Sequence, residues 1–410
     1  MNCKPTEKQL KFLDWEFGAF FHFGIRSFNP GHCDWDGKPM SLDSFNPDSL
    51  DCDKWISLIK EAGAKYAILT TKHHDGFANW PTAYNEYSVA NTPWKDGKGD
   101  VVREFVDACR KHDIGVGLYY SPAQWQGSVE FKDGKEYDDY FINQITELLT
   151  NYGKIDYLWF DGCGSDGHVY DQKRIISVIR SLQPEILIFG MWDPDTSWVG
   201  NEDGYATVPN PYTKTCTFLG ETRESFMPYE CDCKIRETWF YDINEFTLKP
   251  LEELIGMYEM SVGRGANLLL NMSPDNHGAI PYADAQRLLE LGDEIRRRYS
   301  HPLNFTDIKK VAPGKYEIEF DPENRSLLTE HIYMKYVRAA VIEEDITDGE
   351  QVLDFKLSAE IPNVFRNTGR SFVVCRAETI GHKHICRFPA IRSVTFILEI
   401  LRCNGDLDDV

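Results

Sequence analysis

The residue best placed to do chemistry is Asp161, which directly follows an apolar run. The segment YLWF (157–160) precedes it and Gly162 follows it. Four consecutive apolar residues predict a buried strand. The next side chain then emerges at the carboxyl edge of a parallel sheet, where α/β barrels keep their reactive groups. An aspartate there, beside Trp159, could act as a nucleophile in a pocket that binds the face of a sugar. Its alternative role is to cap the start of a following helix.

Cleavage of a glycosidic bond requires a second carboxyl group. One group attacks the anomeric carbon or activates water, while the other protonates the leaving oxygen. The segment WVGNEDGY (198–205) offers Glu202 as the second group. Glu221, Glu230 and Asp193 are rivals that the residues leave open, because acids of solvated loops are common.

Three histidines lie at the ends of two predicted strands. His22 interrupts the apolar run FFHFG (20–24), and His73 and His74 follow the second strand. Neutral imidazoles donate to and accept from sugar hydroxyls, so we predict a joint binding role. Zinc is the rival ligand. Adjacent residues of an extended chain point to opposite sides, and no nearby Cys/His cluster completes a site. We therefore expect neither a metal nor a cofactor.

Aromatic side chains are dense around the same positions. A sugar has apolar C–H faces and a ring of hydroxyls, so aromatic faces beside polar donors are typical of carbohydrate sites. The aromatic residues near the predicted site are Trp35, Trp80, Tyr119, Trp125, Trp159, Trp192, Trp198 and Trp239. Many of them belong to the core, and we predict that Trp35, Tyr119, Trp159 and Trp239 contact the ligand.

Strand-like and helical segments alternate along the first part of the chain. The predicted strands span residues 17–24, 65–71, 115–120, 157–161, 186–192 and 267–271. The predicted helices span residues 53–62, 100–112, 136–152, 172–182, 251–262 and 282–299. This alternation favours a (β/α)8-type TIM-like barrel over a doubly wound sheet. The Gly/Pro/Asn-rich stretch 193–233 is interpreted as active-site loops.

The pattern changes after residue 301. Strand-like runs separated by turn signals then predict a C-terminal antiparallel β-sandwich. We expect a catalytic barrel at 1–301 and the sandwich at 302–410.

Charge and composition exclude some classes of partner. The chain has 410 residues and a net charge of −21, which argues against nucleic acid or an anionic membrane surface as the main partner. No apolar run reaches 18 residues, and the charged N-terminus resembles no signal peptide. We expect a cytoplasmic protein, although a trimmed secreted chain would look the same. The eleven cysteines show no zinc-finger spacing and predict reduced, mostly buried thiols.

Several motifs in one order resemble glycoside hydrolase family 29, the α-L-fucosidases. The motifs are FFHFG (20–24), TTKHHDGFANWPTAYNEYSV (70–89), GLYYSP (117–122), YLWFDG (157–162), WVGNEDGY (198–205), GANLLLNMSPDNHG (265–278) and ETIGHKHICRFP (378–389). The resemblance implies a (β/α) barrel followed by a β-sandwich and a fucosylated glycan as the small-molecule substrate.

The resemblance also implies roles for individual residues. The family's nucleophile corresponds to Asp161, and the histidines that hold fucose hydroxyls correspond to His22, His73 and His74, with Tyr119 and Trp159 beside them. The GNE motif is similar to that of the subfamily that prefers α-1,3/1,4-linked fucose on Lewis-type glycans. There the acid/base corresponds to Glu202, and the reaction retains configuration by double displacement.

Three departures from the family pattern stand out. Asp34-Trp35 replaces the common Glu-Trp, so a hydroxyl contact from Asp34 would have a shorter reach. Ser197 replaces an arginine before WVGNE, and the sandwich is short. A broad-range α-L-fucosidase, a hydrolase for a related sugar and an inactive fucose-binding protein remain as alternatives.

Overall fold

Parallel strands form the central sheet of the computed structural model. The structure describes residues 3–31, 40–124, 133–162, 167–320, 325–326, 333–334, 336–363, 368–393 and 395–408. The strands of its first part are β1 (Phe17–Phe21), β2 (Tyr66–Lys72), β3 (Gly115–Tyr120), β4 (Tyr157–Phe160), β5 (Leu187–Phe189), β6 (Ser197–Trp198), β7 (Thr213–Phe218), β8 (Glu221–Phe226), β9 (Tyr229–Lys234) and β10 (Ala266–Asn271).

Eight of these strands nearly close into a barrel. Their order is β5-β4-β3-β2-β1-β10-β9-β6, and each neighbouring pair is parallel. A single parallel bridge between Phe189 and Thr196 joins the two edges. The predicted TIM-like barrel is confirmed.

Helices surround this barrel. They are α1 (Glu7–Trp15), α2 (Cys52–Ala62), α3 (Val101–Lys111), α4 (Gly134–Asn151), α5 (Gln172–Leu182), α6 (Leu251–Ser261) and α7 (Tyr282–Tyr299). The starts of α2 to α5 share one device, an aspartate that accepts a hydrogen bond from a backbone N–H of the first turn. Such a cap contributes about 1 kcal/mol. None of the described helices is long and apolar enough to cross a membrane.

The barrel interior is filled by aromatic rings. Helix α1 closes the amino end of the barrel, where Trp15 stacks on Tyr66 with ring centroids 5.0 Å apart and Phe12 contacts Tyr157 edge to face at 5.6 Å. The side chain of Asn267 donates to the carbonyl of Phe12 at 2.7 Å. Because this end is sealed, the interior is accessible only at the carboxyl ends of the strands.

The interpretation of residues 193–233 as loops is wrong in part. The stretch contains the short strand β6, the antiparallel hairpin β7–β8 and most of the barrel strand β9. Glu230 and Asp232 of β9 are buried, so this strand lacks the apolar run that marks β4. Helix α1 was also missed.

Antiparallel strands form the C-terminal part of the chain. They are β11 (Phe305–Ala312), β12 (Lys315–Phe320), β13 (Arg325–Ser326), β14 (Tyr333–Met334), β15 (Val337–Ile342), β16 (Val352–Asn363), β17 (Thr368–Ala377), β18 (His384–Ile391) and β19 (Thr395–Cys403). One sheet has the order β11-β12-β19-β16-β17, while β15 and β18 form a second, two-stranded sheet. The predicted β-sandwich is confirmed, whereas the domain boundary at residue 301 stays a prediction.

The close packing inside the barrel predicts that Gly18 tolerates no side chain. A Cβ atom at Gly18 would lie 2.4 Å from the ring of Tyr66, which stacking on Trp15 holds in place. We expect Gly18→Ala to lower the free energy of unfolding by about 1–3 kcal/mol, measured by urea denaturation. Gly256→Ala in α6 is the matched control, because a Cβ there meets open space. It should stabilise the helix by about 0.5–1 kcal/mol, and equal effects of the two variants would contradict the packing argument.

Candidate active site

A cavity of about 970 Å³ opens at the carboxyl ends of the barrel strands. Its wall includes eight of the ten residues that the sequence predicts for the site: His22, His73, His74, Tyr119, Trp159, Asp161, Glu202 and Trp239. The other two, Asp34 and Trp35, lie outside the described residues. The structure therefore brings both predicted carboxylates and all three histidines to one cavity.

Asp161 follows β4 directly and faces the cavity. The hydroxyl of Tyr119 donates to its Oδ2 at 2.9 Å, and Nε2 of His74 lies 3.6 Å from the same oxygen. The ring of Tyr119 stacks on Trp159 with centroids 5.4 Å apart. Asp161 does not cap a helix, because α5 is capped by Asp171. Its carboxylate is thus held by a donor of fixed position while one face remains accessible.

His22 is a neutral hydrogen-bond acceptor in this arrangement. Its Nδ1 lies 2.8 Å from Oδ1 of Asn271, and the amide nitrogen of Asn271 donates to the carbonyl of Trp239 at 2.7 Å. The second bond fixes the orientation of the amide, so Nδ1 of His22 carries the proton and Nε2 presents a lone pair. Burial lowers the pKa of His22 to about 3, despite the opposing bond from Asn271.

His73 and His74 both line the cavity, which corrects the expectation that they point to opposite sides. They follow β2 in a turn rather than in extended chain, and their ring centroids lie 4.1 Å apart. Burial lowers the pKa of His74 to about 3, with Lys72 and Arg26 adding to the effect. Burial likewise holds the pKa of His73 well below its usual value.

The two rings differ in how their nitrogens are satisfied. Nδ1 of His74 lies 2.5 Å from the hydroxyl of Ser121. Nδ1 of His73 is buried and has no hydrogen-bond partner among the described residues.

Glu202 also lines the cavity, and its side chain is half exposed. Its Oε2 accepts from Nζ of Lys234 at 2.9 Å and from Nε1 of Trp239 at 3.2 Å. The ammonium of Lys234 also lies over the Trp239 ring, 4.8 Å from its centroid. Both contacts hold Oε2 of Glu202 at the cavity wall.

The three rival acids do not line the cavity. Glu221 lies in the exposed hairpin β7–β8, and Asp193 pairs with Arg180 at 3.2 Å. Ser197, the departure from the family's arginine, accepts a hydrogen bond from Lys214 at 2.5 Å outside the cavity. Of the four predicted candidates for the second carboxyl group, the cavity therefore contains Glu202 alone.

Glu230, the third rival, is buried inside the barrel behind the cavity wall. It accepts hydrogen bonds from Tyr66 at 2.6 Å, from Nε1 of Trp159 at 2.8 Å and from Tyr157 at 3.2 Å. Burial raises the pKa of Glu230 to about 7, although all three bonds oppose the shift. Glu230 fixes the indole of Trp159 rather than contacting a ligand.

Asp232 is a cavity residue that the sequence analysis missed. It lies on β9, and Nε1 of Trp198 donates to its Oδ1 at 2.7 Å. Burial raises the pKa of Asp232 to about 8, and the charges of Glu230 and Glu202 add to the effect. Asp232 is therefore a carboxylic acid at neutral pH. The alternation of acids and cysteines in ECDC (230–233) is the signal that could have revealed it.

No part of the cavity wall has the spacing of a metal site among the described residues. The one group of His, Cys, Asp or Glu side chains with such spacing in the described chain lies in the C-terminal strands.

Comparisons with known proteins agree on one family. Residues 2–298 match the family model for alpha-L-fucosidase. The chain is 32% identical to alpha-L-fucosidase 1 of Arabidopsis thaliana over 448 aligned positions, which cover 98% of this chain and 85% of that protein. A glycoside hydrolase 29 family member from an unknown rumen bacterium matches with a TM-score of 0.85 at 31% identity, covering 99% of this chain and 76% of that one.

A further solved structure contains a sugar. It is a mutant of a Ruminococcus gnavus GH29 fucosidase in complex with fucose, which matches with a TM-score of 0.82 at 25% identity. The alignment covers 98% of this chain and 92% of that one.

The buried carboxyl of Glu230 predicts a specific pH dependence of stability. Its pKa is about 7 in the folded protein, whereas the ordinary value for a glutamate, which applies to the unfolded chain, is 4.5. Between pH 4.5 and pH 7 the folded state therefore holds a proton that the unfolded state lacks. Stability therefore falls as the pH rises through this window, by about 3 kcal/mol in total. Urea unfolding of Glu230→Gln from pH 4 to pH 8 should lack this decline. The exposed Glu61→Gln is the control, and a Glu230→Gln profile parallel to wild type would contradict the assignment.

Proposed function

The chain belongs to the α-L-fucosidase family, glycoside hydrolase family 29, and we propose that it releases terminal α-1,3- or α-1,4-linked fucose from Lewis-type glycans. As a glycoside hydrolase it acts on a carbohydrate substrate. The observation that carries the proposal is the environment of Asp161, a carboxylate that Tyr119 holds beside neutral histidines. The linkage preference rests on the GNE motif at 200–202.

Asp161 is the proposed nucleophile of a double displacement. Its carboxylate, to which the hydroxyl of Tyr119 donates at Oδ2, attacks C1 of the fucosyl unit. A bond forms between Asp161 and C1 while the bond from C1 to the leaving oxygen breaks, and a general acid protonates that oxygen. Water then attacks C1, the same group takes its proton, and Asp161 is released.

The neutral histidines are the proposed contacts for the sugar hydroxyls. Nε2 of His22 presents a lone pair, and the neutral rings of His73 and His74 line the same cavity. These imidazoles match a ligand that offers hydroxyl groups and carries no charge. The rings of Trp159 and Trp239 supply apolar faces for the C–H side of the sugar. Trp35 and Asp34 are further proposed contacts, from the sequence alone.

Glu202 is the proposed acid/base, and Asp232 is a second candidate that its environment favours. A general acid must carry a proton before the first step, and Glu202 contacts the ammonium of Lys234 at 2.9 Å. Asp232 lines the same cavity and keeps its proton at neutral pH.

Substitution of Asp161 tests the nucleophile. Asp161→Asn keeps the shape of the side chain but removes the attacking charge, so kcat should fall by roughly 10³-fold or more on every fucoside. Asp14→Asn, on the exposed face of α1 at the sealed end of the barrel, is the matched control. Near-normal turnover by Asp161→Asn would show that Asp161 is not the nucleophile.

Paired variants separate the two candidates for the acid/base. Replacement of the true acid/base by its amide should lower kcat/KM on a fucosylated oligosaccharide by roughly 10²–10⁴-fold. It should spare the first step on an aryl fucoside, whose leaving group needs no proton, and azide should restore part of the second step. We expect this pattern for Glu202→Gln and a smaller, azide-independent loss for Asp232→Asn. The reverse result would assign the role to Asp232.

A substrate panel tests the linkage preference. Fucose release is measured from a Lewis-type trisaccharide, from α-1,2-fucosyl-lactose and from an aryl fucoside at one pH. We expect the Lewis sugar to be cleaved at least roughly tenfold faster than the α-1,2 linkage. Equal rates would indicate a broad-range α-L-fucosidase. No release by a folded protein that still binds fucose would favour the inactive binding protein.

A further inference from the structure

Three potential metal ligands converge in the C-terminal strands, far along the chain from the barrel residues of the cavity. They are Cys375 on β17 and His384 and Cys386 on β18, and their ligand atoms all lie within 4.8 Å of one another. Among the described residues this is the one group of three such side chains with that spacing. The group plays no part in the proposed hydrolysis.

The strand registers explain why the three side chains meet. His384 and Cys386 are two residues apart and therefore point to the same side of β18. Cys375 is paired with Leu357, a buried residue of β16, so its side chain also points inward. The register shifts next to Cys375, and such a β-bulge redirects the side chains beside it.

The group joins two different sheets. Cys375 belongs to the five-stranded sheet, whereas His384 and Cys386 belong to the two-stranded sheet β15–β18. An isolated two-stranded sheet is marginally stable in water. A bond between the sheets would therefore secure the smaller one.

The surroundings of the group are apolar. His384 and Cys386 are buried, Cys375 is partly exposed, and Phe355 contacts the His384 ring edge to face at 5.1 Å. Ile380 belongs to the same buried cluster. Within these surroundings Cys375 forms hydrogen bonds with both His384 and Cys386, so the polar atoms of the three side chains contact one another.

We propose that Cys375, His384 and Cys386 bind a Zn²⁺ ion that links the two sheets of the C-terminal sandwich. Thiolate and imidazole are the donors that Zn²⁺ prefers, with bonds of about 2.3 Å to sulfur and about 2.0–2.1 Å to nitrogen. Both thiols lose their protons on binding, and a water molecule reaching the partly exposed Cys375 completes the tetrahedron.

The position of the ion would also support the contact with the barrel. The backbone N–H of Ile385, between two of the ligands, donates to the carbonyl of Gly263 at 2.9 Å. Arg264 forms an isolated antiparallel β-bridge with His384 itself. The metal is thus expected to stabilise the sandwich and its attachment to the barrel, without entering the active site.

Metal analysis of the reduced full-length chain tests the proposal. Purified protein is equilibrated with Zn²⁺ and desalted, and its zinc content is measured by mass spectrometry. Wild type should retain one Zn²⁺ per chain, and Co²⁺ in its place should give the thiolate-to-cobalt charge-transfer band of a tetrahedral site. Cys375→Ser should abolish that band. Mutation of a residue that only hydrogen-bonds a metal ligand weakens metal binding by roughly 10–100-fold, so loss of the ligand Cys375 itself should weaken it by more.

Cys403→Ser is the matched control, because Cys403 lies on β19 outside the group. It should bind metal like wild type. Chelation should lower the Tm of wild type and of Cys403→Ser but leave that of Cys375→Ser unchanged. Absence of both retained zinc and the cobalt band in folded wild type would overturn the proposal. If Cys375→Ser binds Zn²⁺ as tightly as wild type, the ion binds at another site and the proposal is wrong. A Cys375–Cys386 disulfide that persists in reductant would also exclude the site.

Discussion

The carboxyl group of Glu230, enclosed in the barrel, is the interaction on which the active site depends. A buried carboxyl is tolerated only if its oxygens are hydrogen-bonded, and Tyr66, Tyr157 and Trp159 supply the donors. Trp159 in turn stacks on the tyrosine that donates to the proposed nucleophile. The position of the reactive carboxylate is therefore set by a series of contacts that starts in the closed interior of the barrel.

Burial also determines the charges of the cavity. The histidines of the wall are neutral because their rings are desolvated, and Asp232 keeps its proton for the same reason. The wall also contains charged side chains, among them Arg26, which pairs with the buried Asp75, and Lys234, which pairs with Glu202. The neutral imidazoles and the protonated carboxyl group can donate to and accept from the hydroxyls of an uncharged sugar.

Local sequence patterns correctly predict the helices and strands that an apolar run or a periodic apolar face marks. Strand β3 and helices α5 and α7 have the predicted bounds, because apolar runs and helical periodicity mark them directly. Strand β9 was missed because its inward residues are acids, whose burial only the closed barrel makes possible. The alternation in ECDC (230–233) would have revealed Asp232 only if this segment had been interpreted as a strand. The turn that brings His73 and His74 to one side depends on tertiary packing, which residue spacing does not encode.

The barrel has a seam between β5 and β6, the strands of its two edges. These strands have three and two residues, and one bridge, from Phe189 to Thr196, connects them. Local opening costs least where backbone hydrogen bonds are fewest. The segment that carries Glu202 begins just beyond this seam, whereas Asp161 follows a strand with neighbours on both sides. The proposed nucleophile is therefore anchored by a strand that is hydrogen-bonded along both edges, whereas Glu202 follows a two-residue strand that is paired with β9.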